Sequence, residues 1–548
     1  MIDTRMSIRT LIAALCLALP LAVQADADPI VDAPAGKLRG EALDGLHVFK
    51  GIPYALPPTE ALRWKPPRPM PAWQDTRDAT RFGPACIQPK PRPVSIYAHE
   101  LPATSEDCLF LNIWTPADAR GAPVFVWIHG GALTSGASSE PMYDGAKLAQ
   151  RGVVFVSINY RLGVLGYLAH PALSAESRRN ISGNYGLLDQ IAALRWIQNN
   201  IASFGGDPNN VTIAGESAGA LSVMYLLAAP DARGLFAKAI VQSGYMISAP
   251  HLRESPHGDV AAESIGVWLA GQVGAGDLAG LRSMDAQAIT NAAAQAGYFP
   301  FLTIDGRILR RQLVDTFDRG EQAKVPMLVG FNSGEIRSLR ILAPPPPESA
   351  AAYETAIRER YGDLADTFLE LYPASDLSES VLATVRDGLY GWTSERLVAK
   401  QTAAGAPSFL YYFDHGYPAA EEMDLHAFHA SEIPYIFGTA DRTPPLWPKV
   451  PDTASEQRFA DAMAEYWVAF ARDGVPSAEG QPQWLPYGAE RAYLHFEDAP
   501  RVRKHLLPGM YELNEQVVCR RRAQGGIPWN WNFGIVSPPL PPKAPQCR

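Results

Sequence analysis

The chain has 548 residues, of which 47% are hydrophobic and 19% charged, and its formal net charge at pH 7 is −9. This length and composition provide material for a large buried core, enough for two or three average domains. The acidic balance argues against negatively charged partners, so nucleic acids and anionic membrane surfaces are not expected as ligands.

Residues 1–25 have the pattern of a secretory signal peptide. Arg5 and Arg9 form a basic start, residues 11–21 an apolar core, and Val23-Gln24-Ala25 a small-residue cleavage site. The apolar run is shorter than the ~20 residues that cross a bilayer, and no later stretch qualifies as a membrane span. Cleavage after Ala25 would leave a secreted or periplasmic protein of 523 residues with a net charge of −10.

The first part of the mature chain predicts short strands. Residues 36–40 and 47–55 suggest an antiparallel arrangement, and the proline-rich run 56–73 argues against helix. Residues 106–114 alternate apolar and polar positions, which also indicates a strand.

A continuous apolar run over 123–128 predicts a buried strand, and it ends in His129-Gly130-Gly131-Ala132-Leu133. Glycines directly after a buried strand expose backbone N–H groups, which an anion formed on a substrate carbonyl requires. The alternative is an ordinary glycine-rich turn.

A second buried strand is predicted over 211–214, after a strand over 153–160 and an amphipathic helix from Leu187 to about Phe204. It runs into Gly215-Glu216-Ser217-Ala218-Gly219 and then a helix, so Ser217 lies at a strand-to-helix corner. Flanking side chains would collide with the neighbouring backbone there, and glycine tolerates positive φ. We interpret Ser217 as a nucleophile, although a G-x-S-x-G sequence alone also fits a linking loop.

The rest of the chain alternates predicted strands with helices. Residues 251–320 look mostly helical, and a helix with an apolar face spans Phe459 to Phe470; the strands are predicted over 239–244, 325–332, 409–413 and 493–496. This order indicates an α/β protein with a mainly parallel sheet and helices on both faces. No linker divides residues 26–548, so we predict one large domain, with a surface loop at Pro344 to Pro347 and a trailing proline-rich arm at 538–542.

A serine nucleophile requires a base and an acid, and both have candidates after later strands. Glu335 follows the strand predicted over 325–332, and His429 follows the strand over 409–413. The chain order Ser, Glu, His is the one that hydrolases of this architecture use. His426 is a close competitor of His429 for the role of base.

Four cysteines remain after the signal sequence, in two local pairs. Cys86 is near Cys108, Cys519 is near Cys547, and an exported protein can oxidise both pairs. Zinc is the competing interpretation, but neither pair has C-x-x-C spacing or clustered histidines. We predict two disulfides and no metal or cofactor.

From about Val31 to Leu494 the chain resembles the type-B carboxylesterases, which share the α/β-hydrolase fold with the cholinesterases. The matching segments are residues 49–55, 106–112, 129–132, 159–163, 183–190, 204–208 and 215–219. The resemblance implies an N-terminal antiparallel part and a helical insert, in addition to the main sheet.

The resemblance also assigns roles residue by residue. It implies Ser217 as nucleophile, Glu335 as acid and His429, rather than His426, as base. It implies that the amides of Gly131, Ala132 and Ala218 form the oxyanion hole. Two further residues, Glu216 and Ser243, match positions near the family's catalytic centre, and Cys86 with Cys108 matches an early disulfide.

Two departures from the family pattern affect the expected substrate. Ala132 stands where a third glycine is frequent, and its methyl group should narrow the site against bulky alcohols. The loop between Cys86 and Cys108 contains Tyr97 and lacks the tryptophan that holds a quaternary ammonium in cholinesterases, so choline esters are not expected as preferred substrates.

The sequence therefore predicts a secreted serine esterase that uses a Ser-His-Glu triad and an acyl-enzyme intermediate, with a small-molecule ester and water as its partners. Two alternatives stay open. The same machinery can serve a lactone, an amide or a complex natural ester, with specificity set by loops at 251–320 and 336–400. A non-catalytic binding protein on the same scaffold is the other, although retention of Ser217, Glu335 and His429 together argues against it.

Overall fold

The computed structural model describes residues 28–90, 95–101 and 103–547. The predicted signal peptide at 1–25 lies outside the described residues. Over the part that the structure describes, no helix is both long and apolar enough to cross a membrane.

Ten of the sixteen strands in the described residues lie close to the predicted positions. In chain order the strands are β1 (Ile30–Ala33), β2 (Gly36–Arg39), β3 (Glu41–Leu43), β4 (Leu46–Pro53), β5 (Arg77–Asp78), β6 (Ala85–Cys86), β7 (Thr104–Ser105), β8 (Phe110–Pro116), β9 (Ala122–Ile128), β10 (Val154–Ile158), β11 (Gly206–Glu216), β12 (Lys238–Gln242), β13 (Met327–Asn332), β14 (Ser408–Phe413), β15 (Ala492–Phe496) and β16 (Pro500–Lys504). Of these, β1, β3, β5, β6, β7 and β16 were not predicted.

Helices follow most of the later strands. They are α1 (Ala146–Ala149), α2 (Gly163–Tyr167), α3 (Pro171–Glu176), α4 (Tyr185–Asn200), α5 (Ala218–Ala228), α6 (Ala262–Gln272), α7 (Leu278–Ser283), α8 (Ala286–Gln295), α9 (Leu313–Asp318), α10 (Ala350–Tyr361), α11 (Ala365–Leu371), α12 (Leu377–Arg386), α13 (Trp392–Ala403), α14 (Pro418–Glu422), α15 (Ile433–Phe437), α16 (Ala454–Asp473) and α17 (Met510–Gln524).

The described residues form one 11-stranded sheet in the order β16-β15-β14-β13-β12-β11-β9-β10-β8-β4-β3. The strands from β10 to β15 in this order pair in parallel, whereas β16 at one edge and β8, β4 and β3 at the other pair antiparallel. The predicted α/β architecture with a mainly parallel sheet and N-terminal antiparallel strands is confirmed.

Both faces of the sheet are buried, because alternate residues of each strand point to opposite sides. On β9, Val124, Val126 and Ile128 pack in a core shared with α4 and α5. Phe125 and Trp127 pack in the opposite core with α15 and α16, where the Trp127 and Phe437 rings are 4.9 Å apart. Each such apolar side chain contributes about 1.5–3 kcal/mol when it is buried, so the continuous apolar strand sequences match a two-sided core.

Some predictions about local structure were wrong. Residues 106–109 precede the strand, which begins at Phe110. Most of the segment 336–400, predicted as loops, is helical in α10, α11, α12 and α13. The segment from 251 to 320 is helical in α6, α7, α8 and α9 but extended or turned between Ala296 and Gln312.

Two disulfides join Cys86 to Cys108 and Cys519 to Cys547. The second ties α17 to the proline-rich end of the chain. That end packs on the body, since Leu540 N–H donates to the Arg360 carbonyl at 2.7 Å and Arg521 donates to the Pro538 carbonyl at 3.2 Å.

Candidate active site

The residues predicted to act together follow neighbouring parallel strands. Ser217 comes directly after β11, Ser243 directly after β12, and Glu335 in the turn after β13. His429 lies in the loop after β14, beyond α14, and the glycine-rich segment follows β9. Because the carboxyl ends of parallel strands meet at one edge of a sheet, the five segments converge there.

The turn around Ser217 leaves no room for side chains at Gly215 and Gly219, two residues before and after the serine. A Cβ atom on Gly219 would lie 2.0 Å from the Ile128 carbonyl oxygen, and one on Gly215 would lie 2.5 Å from the Gly219 carbonyl carbon. Ser217 itself has a positive φ of 56°, whereas Gly215 and Gly219 do not. A non-glycine residue in that region costs about 1–3 kcal/mol, a strain typical of functional sites.

The glycine-rich segment lies directly against this turn. A Cβ atom on Gly130 would be 2.9 Å from the Glu216 carbonyl oxygen and 3.3 Å from Ser217 Cβ. Gly131 and Ala132 both have positive φ, at 97° and 54°.

Within the described part of the chain, the backbone N–H groups of Gly131, Ala132 and Ala218 donate to no other residue. Ala218 is the first residue of α5, where an N–H has no partner inside the helix. These three groups therefore remain available to an anionic oxygen beside Ser217.

Glu335 is fully buried and holds its carboxylate through three neighbours. Ser243 Oγ donates to Oε1 at 2.6 Å, and the Asn332 N–H donates to the same oxygen at 2.9 Å. The other oxygen, Oε2, forms a hydrogen bond with His429 Nδ1. This bond fixes which edge of the imidazole points away from Glu335.

The structure brings His429, and not His426, to Glu335. His426 lies near the surface, 40% exposed, with its Nδ1 2.6 Å from Glu421 Oε2 and its Nε2 3.4 Å from Asp424 Oδ1. The two histidines were left open by the residue pattern alone, and the geometry separates them.

The free edge of His429 faces Glu216. Its Nε2 lies 3.0 Å from Glu216 Oε1, an ionic contact without the alignment of a hydrogen bond, and both side chains are buried. Among the described residues Ser217 Oγ has no hydrogen bond, to His429 or to any other group, and the polar contact of His429 Nε2 is with Glu216.

Burial and charge compete in this pair. Burial raises the pKa of Glu216 to about 8, and nearby Glu432 and Glu335 add to the rise against the lowering effect of His429. Burial lowers the pKa of His429, but Glu216, Glu335 and Glu432 outweigh it and raise that pKa to about 9. The His429 imidazole thus lies among carboxyl groups whose charges raise its pKa.

A second buried carboxyl group, Glu432, supports this region and was missed by sequence reasoning. It is fully buried and accepts hydrogen bonds from Gln242 Nε2 at 2.9 Å and Asn332 Nδ2 at 2.7 Å. Burial raises its pKa. The sequence signal for a buried polar group here was the polar residue that ends each of two apolar strands, Gln242 on β12 and Asn332 on β13.

No group of three His, Cys, Asp or Glu residues over 28–90, 95–101 and 103–547 is placed to hold a metal ion.

Comparisons with known proteins find similar sequences over most of the chain. The sequence pattern of the carboxylesterase family matches residues 27–513. A fumonisin B1 esterase of Sphingopyxis macrogoltabida is 39% identical over 489 residues, covering 85% of this chain and 86% of that protein. A para-nitrobenzyl esterase of Bacillus subtilis is 36% identical over 473 residues, covering 84% of this chain and 93% of that protein.

Solved structures are similar over the same range. A PNB esterase structure superposes with a TM-score of 0.77 at 34% identity and covers 89% of this chain and 99% of its own. A carboxylesterase of Geobacillus stearothermophilus gives a TM-score of 0.71 at 35% identity, with 88% and 99% of the two chains covered.

Proposed function

Because the chain belongs to the carboxylesterase family, with the α/β-hydrolase fold and the activity of a carboxylic ester hydrolase, we propose that it works through a Ser217-His429-Glu335 triad and an acyl-enzyme intermediate. The observation that carries this proposal is the convergence of these three side chains at one edge of the sheet, with His429 Nδ1 bonded to the buried Glu335 carboxylate.

In the first step Ser217 Oγ attacks the ester carbonyl carbon while His429 Nε2 takes the hydroxyl proton. The carbonyl oxygen becomes an oxyanion that accepts hydrogen bonds from the N–H groups of Gly131, Ala132 and Ala218. Glu335 stabilises the imidazolium through Nδ1. The tetrahedral intermediate then collapses, His429 gives its proton to the alkoxide, and alcohol leaves the acyl-enzyme.

In the second step a water molecule replaces the alcohol. His429 Nε2 takes a proton from water, and the hydroxide oxygen attacks the acyl carbon in the same oxyanion hole. The bond to Ser217 Oγ breaks, the serine recovers its proton from His429, and a carboxylic acid leaves.

The test is the variant Ser217→Ala, compared with Ser222→Ala further along the same helix. We expect Ser217→Ala to lose hydrolysis of p-nitrophenyl esters by at least about 10⁴-fold and to lose labelling by a fluorophosphonate. Ser222→Ala should keep both. Persistent labelling of Ser217→Ala would show that another residue is the nucleophile.

We propose esters of small, uncharged alcohols as the preferred substrates. The support is the alanine at position 132 in the oxyanion segment and the lack of a tryptophan between Cys86 and Cys108. A panel of esters varied separately in acyl chain and alcohol tests this, and a higher kcat/KM for choline esters than for ethyl esters would contradict it.

We further propose that the protein is exported. The basic, apolar and small-residue pattern of residues 1–25 supports this, as do two disulfides, which persist in oxidising compartments. N-terminal sequencing of the mature protein should start at Asp26, and recovery of an uncleaved chain from the cytoplasm would contradict it.

A further inference from the structure

Tyr97 reaches His429 from a distant part of the sequence, the loop closed by Cys86 and Cys108. Its hydroxyl oxygen is 2.9 Å from the His429 carbonyl oxygen and 2.7 Å from Ser338 Oγ. A carbonyl can only accept, so the tyrosine proton goes to His429 and the serine hydroxyl donates to Tyr97.

The carbonyl that Tyr97 holds lies at a strained point of the chain. The next residue, Ala430, has φ of 68° and is buried. Alanine adopts this left-handed region at a cost of about 1–3 kcal/mol, and such a conformation persists only where the surroundings hold it in place. The orientation of the peptide between His429 and Ala430 therefore depends on its contacts.

Other hydrogen bonds of this loop go to the carbonyls on either side of His429, those of Ala427, Phe428 and Ala430. Asn332 Nδ2 donates to the Phe428 carbonyl at 2.8 Å, and the Ser431 N–H donates to the same oxygen at 3.0 Å. Over the described residues, Tyr97 is the one partner of the His429 carbonyl.

The ring of Tyr97 adds packing on the same side. It meets the His429 ring edge to face, with centroids 6.5 Å apart, and the Trp447 ring in the same manner at 5.8 Å. Trp447 in turn packs on Phe428 at 4.8 Å. Burial raises the pKa of Tyr97, so its hydroxyl keeps the proton that it donates.

We propose that Tyr97 is a positioning residue for the catalytic base. It joins the loop closed by Cys86 and Cys108, the loop that carries Glu335 and the loop that carries His429, and it fixes the backbone from which the imidazole reaches Glu335 and Glu216. This inference rests on the proposed role of His429.

The test replaces Tyr97 by phenylalanine, which keeps the ring and removes the hydroxyl. A matched control is Tyr353→Phe, because the buried Tyr353 hydroxyl also donates to a backbone carbonyl, that of Tyr372 at 3.0 Å, in the helical region of α10 and α11. Both variants lose the same kind of bond, so their losses of thermal stability should be similar.

We expect Tyr97→Phe to lower kcat by about tenfold with KM unchanged within about twofold, since a small displacement of a catalytic group has effects of this order. The rate of labelling by a fluorophosphonate should fall by the same factor as kcat, because both reactions need the base. Ser338→Ala should give a smaller fall, and Ser338→Thr, which keeps a hydroxyl, should restore the rate.

Two results would overturn the inference. One is a kcat for Tyr97→Phe within about twofold of that for Tyr353→Phe; the other is a loss confined to KM with labelling unchanged. Failure of the proposed triad can be distinguished from failure of this inference. If His429 were not the base, the single variant His429→Ala would retain esterase activity.

Discussion

Glu216 sets the pH dependence of the proposed reaction, and Glu216→Gln tests this. The base acts only when it is neutral, so kcat/KM should rise with pH as His429 loses its proton. Burial lowers the pKa of His429, whereas the charge of Glu216 is the first of several effects that raise it to about 9. Removing that charge should therefore move the acid limb of the profile to lower pH.

The contact distance gives the size of the shift. Two unit charges 3.0 Å apart attract by about 1.4 kcal/mol in water and by about 5.5 kcal/mol at an effective dielectric constant of about 20, or about 1 to 4 pKa units. Both charges are spread over two atoms, so the lower part of this range applies. We expect a downward shift of about 1 to 2 units and a lower plateau, because the imidazolium formed in the transition state loses a partner.

The assay is kcat/KM for a p-nitrophenyl ester between about pH 5.5 and 9.5, where wild-type Glu216 and His429 titrate as a coupled pair. Glu395→Gln is the matched control, since burial raises the pKa of this carboxyl to about 7 and it contacts Tyr487 and Arg491 instead. An acid limb for Glu216→Gln within about 0.3 pH unit of wild type would refute the reasoning.

Three further outcomes follow from contacts of the site and its supports. Gly219→Ala should destabilise the protein by about 3 kcal/mol or more, since its Cβ would meet the Ile128 carbonyl at 2.0 Å. The control Gly271→Ala, in open space on α6, should stabilise the protein by about 0.5–1 kcal/mol. Thermal unfolding measures both changes. Ser243→Ala removes the 2.6 Å hydrogen bond to Glu335 and should lower kcat by about tenfold. A hydrogen bond to a charged group contributes about 1.5–3 kcal/mol, and part of this energy stabilises the transition state. An unchanged kcat would count against a role for this serine. Replacing Cys519 and Cys547 by serine should lower stability by about 3 to 4 kcal/mol in the chain-entropy model, and an unchanged unfolding temperature would show that the arm is held by packing alone.

The central strands could be predicted from sequence because both of their faces are buried. Runs such as residues 123–128 are continuously apolar, and turn residues delimit them. The edge strand β16 gave no such signal, since it begins with Pro500 and three of its five residues are exposed.

The helices of the segment 336–400 were missed although one of them carried a start signal. Ser349 caps α10, with its side chain accepting from the Ala352 N–H, and a serine before Ala-Ala-Ala is a recognisable N-terminus. The prolines at 344–347 end just before Ser349, so this proline run precedes a helix and does not mark a long loop.

The members of the site could be selected from sequence, but not the contacts among them. Order along the chain gave Ser217, Glu335 and either His426 or His429 as candidates, because each follows a strand that ends at the same edge, and the family resemblance favoured His429. The support by Tyr97 and the buried Glu432 depends on loops that meet only in the folded chain. Tyr97 has no local pattern, and for Glu432 the only signal lay on other strands, in Gln242 and Asn332.

The contact between Glu216 and His429 has its origin in the turn itself. Ser217 adopts φ of 56°, which departs from the extended conformation of β11, so side chains at the end of this strand no longer alternate between the two faces of the sheet. The same strained turn carries the proposed nucleophile and the carboxyl group of Glu216, which lies 3.0 Å from the proposed base. Because Glu216 is buried, its charged form is disfavoured and its pKa rises to about 8. One corner of the chain therefore carries the proposed nucleophile and a titrating group beside the proposed base, so the pH dependence of the activity should respond more to position 216 than to any carboxylate on the surface.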